Sequence, residues 1–291
     1  MSQQLIYHGL VSRHAPLAID LEVMRQTGFQ GLEVSAAKMR AALAAGISEA
    51  ALADWLRPLN IPGIGFLLDI ERPWTVGGDL QAEARELFRL ATIAGARGVQ
   101  VLTGPVDVRA VQAFAAGRNS GLYEGVLRLP RAEQMAVSAA NLAALADLAA
   151  ESGLLLYLEA LAWSPLNRLA DQVEMIRRAD RPNLRMVVDF WHCYASGDGP
   201  ADVAALPVDL LYGVHVCDSM AFAGGVPDES ILRDVPTGKG VLPLQDWVDA
   251  VKATGYEGWW SCELFCRRQQ QENSFAVAAE LQALMIRLIQ P

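Results

Sequence analysis

Residues 131–159 read RAEQMAVSAANLAALADLAAESGLLLYLE, and this stretch decides the fold. Met135, Leu142, Leu145 and Leu148 recur on one face of an alanine-rich run, which is helical spacing. Glu151-Ser-Gly153 supplies a C-terminal stop. Leu154-Leu-Leu-Tyr-Leu-Glu159 follows as a short apolar run, the signature of a buried strand. Working outward, the same alternation recurs. Strands are expected at residues 5–11, 31–34, 61–68, 98–102, 154–159, 184–189, 210–216 and 258–263, each bounded by Gly, Pro or polar residues. A helix is expected at 243–254, ended by Gly255.

Strand and helix in strict alternation imply a parallel sheet with crossover helices. Eight units over 291 residues fit a single-domain (β/α)8 TIM barrel of the α/β class, spanning residues 1–291. An open doubly wound sheet is the poorer fit, because no Gly-rich dinucleotide fingerprint follows the first strand. Segments 103–130 and 218–240 read as long loops after strands four and seven, on the face where barrel active sites form.

With 52% hydrophobic and 20% charged residues, the chain can bury a large core, which excludes wholesale disorder. Lys and Arg number 24 against 33 Asp and Glu, a formal net charge of −9; this argues against a nucleic-acid partner. No run approaches the ~20 apolar residues of a membrane span. The start, Met1-Ser-Gln-Gln-Leu-Ile-Tyr-His-Gly-Leu, lacks a basic n-region and a sustained apolar h-region. No membrane association and a cytoplasmic location are the expectation. Cys193, Cys217, Cys262 and Cys266 form no CxxC pair and read as reduced, buried thiols.

Polar residues interrupt the apolar strands at one end. Strand five closes on Glu159, strand six on Asp189, strand seven on His215 and strand eight on Glu263. Alternation puts Tyr157 with Glu159, Gly213 with His215, and Trp259 and Ser261 with Glu263. In a barrel these four ionisable groups would converge at one mouth, where a cation is the simplest way to hold them ionised. Two Glu, one Asp and one His suit Mn²⁺, Mg²⁺ or Co²⁺, and Zn²⁺ less sharply. His192, three residues after Asp189, could overhang the same mouth. His8 could face the axis or serve as a plain core histidine. Cys262 lies on the face opposite Glu263, and Cys217 lies beyond His215 as a candidate wall.

These residues resemble the xylose isomerase-like sugar isomerase/epimerase superfamily, over essentially the whole chain. The marks are Leu158-Glu159, Val188-Asp189-x-x-His192, Val214-His215-Val-Cys-Asp218, Pro236-Thr-Gly-Lys-Gly240 and Gly255-Tyr-Glu-Gly-Trp259 leading to Glu263. The resemblance implies that Glu159, Asp189, His215 and Glu263 bind one divalent metal, typically Mn²⁺, and that His192 contacts the substrate beside it. It also implies a substrate-binding role for Arg233 and matches Glu33 to a carboxylate of variable role. The loop before Arg233 is longer than usual, and Lys239 stands where many members carry an acid, in a loop expected to rim the pocket.

The expected chemistry follows from the metal. A carbonyl and an adjacent hydroxyl chelating one cation yield a stabilised enediolate when the neighbouring carbon loses its proton. Glu159 and Glu263 are the expected base and acid, in either order, with His192 stabilising the enediolate oxygen or relaying a proton. Trp74, Trp163 and Trp191 could line the pocket. The leading expectation is an isomerase or 3-epimerase of carbohydrate metabolism acting on a ketose or keto-polyol; the alternative is a dehydratase of an inosose or 3-dehydroshikimate. A DNA-repair endonuclease would need more His ligands than the four present, and a silent barrel would be expected to lack a ligand. A homo-oligomer is compatible with all of this.

Overall fold

The computed structural model describes residues 3–75 and 77–290. Its strands are β1 (Gln4–His8), β2 (Leu32–Ser35), β3 (Gly63–Leu67), β4 (Gly98–Leu102), β5 (Leu155–Glu159), β6 (Leu184–Asp189), β7 (Leu211–His215) and β8 (Trp259–Ser261). They pair in sequence order, all parallel, and β8 closes back on β1. This is a single (β/α)8 barrel. Helices cover the outer strand faces; Arg131–Ala150 packs against its neighbours through Met135, Leu142 and Leu145, as its periodicity required.

Several strands are shorter than the apolar runs suggested. β8 stops at Ser261 because its partner β7 ends at His215 in register with it, so Glu263 stands just beyond the sheet. The segments read as long loops carry helices of their own, Val108–Ala115 and Glu229–Leu232. Asp107 and Asp228 cap them by accepting backbone N–H groups. No helix among the described residues is long and apolar enough to cross a membrane.

The barrel interior has two levels. Ile6, Tyr157, Val187 and Trp259 pack as one apolar cluster. Glycines make room for its large rings: a Cβ on Gly63 would fall on the Tyr157 phenol, and one on Gly213 inside the Trp259 indole. One pleat further along each strand, the inward positions become Glu33, Gln100, Glu159, Asp189, His215 and Ser261, all buried. This polar level therefore rests on an aromatic floor.

Candidate metal centre and cavity

Strand termini deliver the site. Glu159, Asp189 and His215 are the last residues of β5, β6 and β7. One ligand atom from each of these and from Glu263 lies within 4.8 Å of the others. His215 Nδ1 stands 3.4 Å from Glu159 Oε1 and 4.0 Å from Asp189 Oδ2 and Glu263 Oε2. The other imidazole nitrogen, Nε2, faces the Glu33 carboxylate at 3.2 and 3.3 Å. That carboxylate only accepts, so Nε2 carries a proton and Nδ1 turns to the cluster. Tyr157 Oη and Ser261 Oγ also donate to Glu33, at 2.8 and 2.9 Å. His8 Nε2 approaches Glu33 and Glu263 at 3.6 and 3.9 Å.

Arg233 is fully enclosed among these acids. Its guanidinium meets Glu263 Oε2 at 2.8 Å, Asp189 Oδ2 at 3.2 Å and Glu229 Oε1 at 2.9 Å. The Phe265 ring lies 4.0 Å from it and the Trp191 ring 5.3 Å. Asp189 also accepts the His192 backbone N–H at 2.7 Å, capping the helix Phe190–Ser196, and the Cys217 thiol at 3.1 Å.

Titration follows this crowding. Burial pushes Glu159 up to about 8, reinforced by Glu263 and Asp189 and opposed by His215. Burial acts against the His215 imidazolium, yet Glu33, Glu159 and Glu263 together raise its pKa well above the ordinary value. For Asp189, burial is outweighed by Arg233, His192 and His215, which hold it at about 2. Glu33 is likewise held at about 2, by His215 and His8 against burial.

The donor set fits a divalent cation. Three carboxylates and one imidazole nitrogen match ligands favoured by Mn²⁺, Mg²⁺, Co²⁺ and Zn²⁺. Two of the donor atoms, Glu159 Oε1 and His215 Nδ1, are buried without a hydrogen-bond partner. Such orphaned atoms are rare and call for a reason. The second oxygen of Glu159 is fixed by Gln100 Nε2 at 2.7 Å, and His215 is held by Glu33, the outer support such ligands usually have.

A cavity of about 500 Å³ opens above Glu159 and Glu263. His192 and Trp163 form one wall, their rings 5.9 Å apart; Phe66, Leu102 and Phe265 supply apolar surface elsewhere. The Ala162 N–H donates to His192 Nδ1 at 3.0 Å, which fixes the proton of a neutral ring on Nε2. Burial, with Arg233 and His215, holds the His192 pKa down at about 4, against Asp189 and Glu263. His192 is thus a neutral donor at physiological pH. Glu229, 26% exposed, brings Oε1 to 3.9 Å from His192 Nε2. Burial and the Glu263 and Asp189 charges push Glu229 up to about 7, with Arg233 opposing.

The structure brings together Glu159, Asp189, His215 and Glu263, and sets His192 and Trp163 beside them. It places other candidate residues away from the cavity lining. Arg233 lies behind the wall, its charge met by three carboxylates, so it is not a cavity-lining contact. Glu33 is sealed beneath His215 and also does not reach the cavity. Trp191 is completely buried under Arg233, and Trp74 packs on the hydrophobic core rather than the cavity. Lys239 and its neighbours line a different hollow with Gln269 and Leu284; their loop instead wraps the Asp218 carboxylate with N–H groups of Gly238, Gly240 and Leu242. Glu229 and Gln100 escaped the sequence reading. Gln100 had a readable signal, an inward polar residue in an apolar strand; Glu229 had none.

A family model described as xylose isomerase-like TIM barrel matches residues 21–287. A curated 3-dehydroshikimate dehydratase from Pseudomonas aeruginosa is 33% identical over 131 residues, 45% of this chain and 21% of that protein; the match thus spans about a fifth of its length. The solved IolI protein, described with a bound zinc atom, superposes with a TM-score of 0.84 at 17% identity, covering 99% of this chain and 98% of that one. An L-ribulose 3-epimerase superposes at 0.69 and 18% identity, covering 100% and 95%. At these identities the two structures show the fold. The family model covers most of the chain, and on that ground the protein belongs to the xylose isomerase-like TIM-barrel family.

Proposed function

We propose that this protein is a divalent-metal-dependent isomerase or 3-epimerase of a ketose or keto-polyol. The carrying observation is the closed cluster of Glu159, Asp189, His215 and Glu263 with two orphaned donor atoms at its centre. A cation held there, Mn²⁺ first among the candidates, would act as a Lewis acid on a carbonyl and its neighbouring hydroxyl. Glu159 and Glu263 approach from β5 and from beyond β8. One takes the proton from the carbon beside the carbonyl, and the other can return one. Gln100 fixes Glu159 Oε2, which turns Oε1 toward the cluster. His192 presents its Nε2–H to a substrate hydroxyl beside the reacting carbon. Trp163 offers an apolar face to the C–H surface of the substrate.

A second reading is a dehydratase, favoured by the 33% identity to 3-dehydroshikimate dehydratase. It begins with the same proton abstraction and ends by expelling a β-hydroxyl. Incubation with keto-sugars and inososes in D₂O, with Mn²⁺ or EDTA, tests both. Deuterium entering beside the carbonyl only with metal supports the mechanism, and loss of one water in the product mass selects the dehydratase. Metal-independent exchange, or Glu159→Gln behaving as wild type, overturns the assignment.

A further inference from the structure

The cavity carries an unusual charge pattern. Five carboxylates line it, Asp107, Glu159, Asp228, Glu229 and Glu263, of which Glu159 and Glu263 belong to the proposed metal centre; the cation among the described lining residues is Arg109. Arg109 is already engaged: its Nε lies 2.9 and 3.2 Å from the two Asp107 oxygens and its terminal nitrogen 2.5 Å from one. Arg233 is withdrawn behind the wall by Glu229, Asp189 and Glu263. Each of these guanidiniums is thus matched by an acid of its own.

The polar pair facing the cavity is selective in kind. His192, 4% exposed, has Nδ1 committed to the Ala162 N–H and so presents Nε2 as a donor. Glu229 Oε1 presents an acceptor 3.9 Å away, too far for a direct bond and close enough for one oxygen atom to reach both. A hydroxyl satisfies both, accepting from His192 and donating to Glu229. A phosphate or carboxylate oxygen can only accept, and would face Glu229 as one anion against another.

We propose that this cavity selects an electrically neutral polyhydroxy ketone, one of whose hydroxyls bridges His192 and Glu229, and that it rejects phosphate esters and carboxylates. This rests on the proton-abstraction reading above and narrows it. It separates the chain from its dehydratase relative in substrate, since 3-dehydroshikimate is a carboxylate. Glu229 is the specificity-determining residue, presented by the long segment after β7.

The test compares matched pairs in D₂O with Mn²⁺ at pH 8: L-ribulose against L-ribulose 5-phosphate, and an inosose against 3-dehydroshikimate. The neutral member of each pair is expected to exchange with a kcat/KM at least about 100-fold higher. In Glu229→Gln that ratio falls at least about tenfold, mainly through a higher KM for the neutral member. Glu229→Asp, which keeps the charge, still rejects the anions and guards against a folding defect in the first variant. Metal-dependent exchange favouring the anionic members refutes the substrate class and leaves the proton-abstraction reading standing. Exchange with none of the four refutes both. A ratio unmoved by Glu229→Gln refutes the role of Glu229.

Discussion

Replacing Glu33 by Gln probes the support under the proposed metal ligand His215. The change is nearly isosteric, but it turns one of two acceptor oxygens into a donor. Glu33 now receives three hydrogen bonds, from Tyr157 at 2.8 Å, Ser261 at 2.9 Å and His215 Nε2 at 3.2 Å. An amide cannot accept all three. With Nε2 no longer held by a carboxylate, the imidazole proton is free to move to Nδ1, where it competes with a cation. A hydrogen bond to a charged acceptor contributes about 1.5–3 kcal/mol, and loss of a ligand's outer partner typically weakens metal binding about 10–100-fold, or roughly 1.4–2.7 kcal/mol. The two figures agree. The assay is calorimetric titration of EDTA-stripped, dialysed protein with Mn²⁺ and Zn²⁺, alongside circular dichroism. A folded Glu33→Gln variant whose Kd stays within about twofold of wild type would refute the support argument.

Other expectations follow from single residues. Glu71 is 6% exposed and burial raises its pKa to about 8, with Gly104 N–H donating to Oε2. Its folded pKa exceeds the unfolded one, so its stabilising contribution is complete below about pH 4.5 and is lost as pH rises through 8. Glu71→Gln should remove on the order of 3 kcal/mol of the decline in urea stability between pH 5 and 8; an unchanged profile counts against this. Long-range ¹H–¹⁵N spectra of His192 at pH 7 should show the neutral Nε2–H tautomer, and an imidazolium or Nδ1–H pattern would contradict its role as a donor. Gly213→Ala forces a methyl into the Trp259 ring below His215, and should cost about 1–3 kcal/mol in denaturant unfolding; a loss under about 0.5 kcal/mol would show that the floor yields.

Much of this was legible because barrel strands are apolar for a physical reason. A buried strand has no use for a charge, so Glu159, Asp189 and His215 at the ends of apolar runs stood out as candidate site residues, and the fold brings them together. Strand boundaries were less legible: residues 258–263 look like one run, but pairing with β7 ends at Ser261. Arg233 illustrates a harder limit. Its sequence position near the mouth gave no hint that three acids and two rings would close over it. Glu229 is similar, since its meaning depends on tertiary approach to His192. Trp163 and Trp191 are alike in sequence, yet one faces the cavity and the other fills space beneath Arg233.

Charge balance leads to the last expectation. Glu33, Glu159, Asp189 and Glu263 are buried together, and ionising all four would be costly with Arg233 as the one permanent cation among them. The metal-free protein meets this with protons: His215 holds one because its pKa is raised well above the ordinary value, and Glu159 holds another with its pKa at about 8. The atoms that face each other at 3.4 Å, Glu159 Oε1 and His215 Nδ1, are the two whose lone pairs turn to the centre of the cluster. A divalent cation entering the cluster needs those same two lone pairs, so it replaces two protons with two positive charges and leaves the buried charge unchanged. Binding at pH 7 should therefore release at least one and at most two protons, read as the slope of apparent enthalpy against buffer ionisation enthalpy in calorimetry. Below pH 7 the apparent affinity should rise by up to about a hundredfold per pH unit, and less steeply above pH 8, where Glu159 has already lost its proton. Tight binding at pH 7 with no proton release would mean that the cation sits elsewhere, and that Glu159 and His215 are not its ligands.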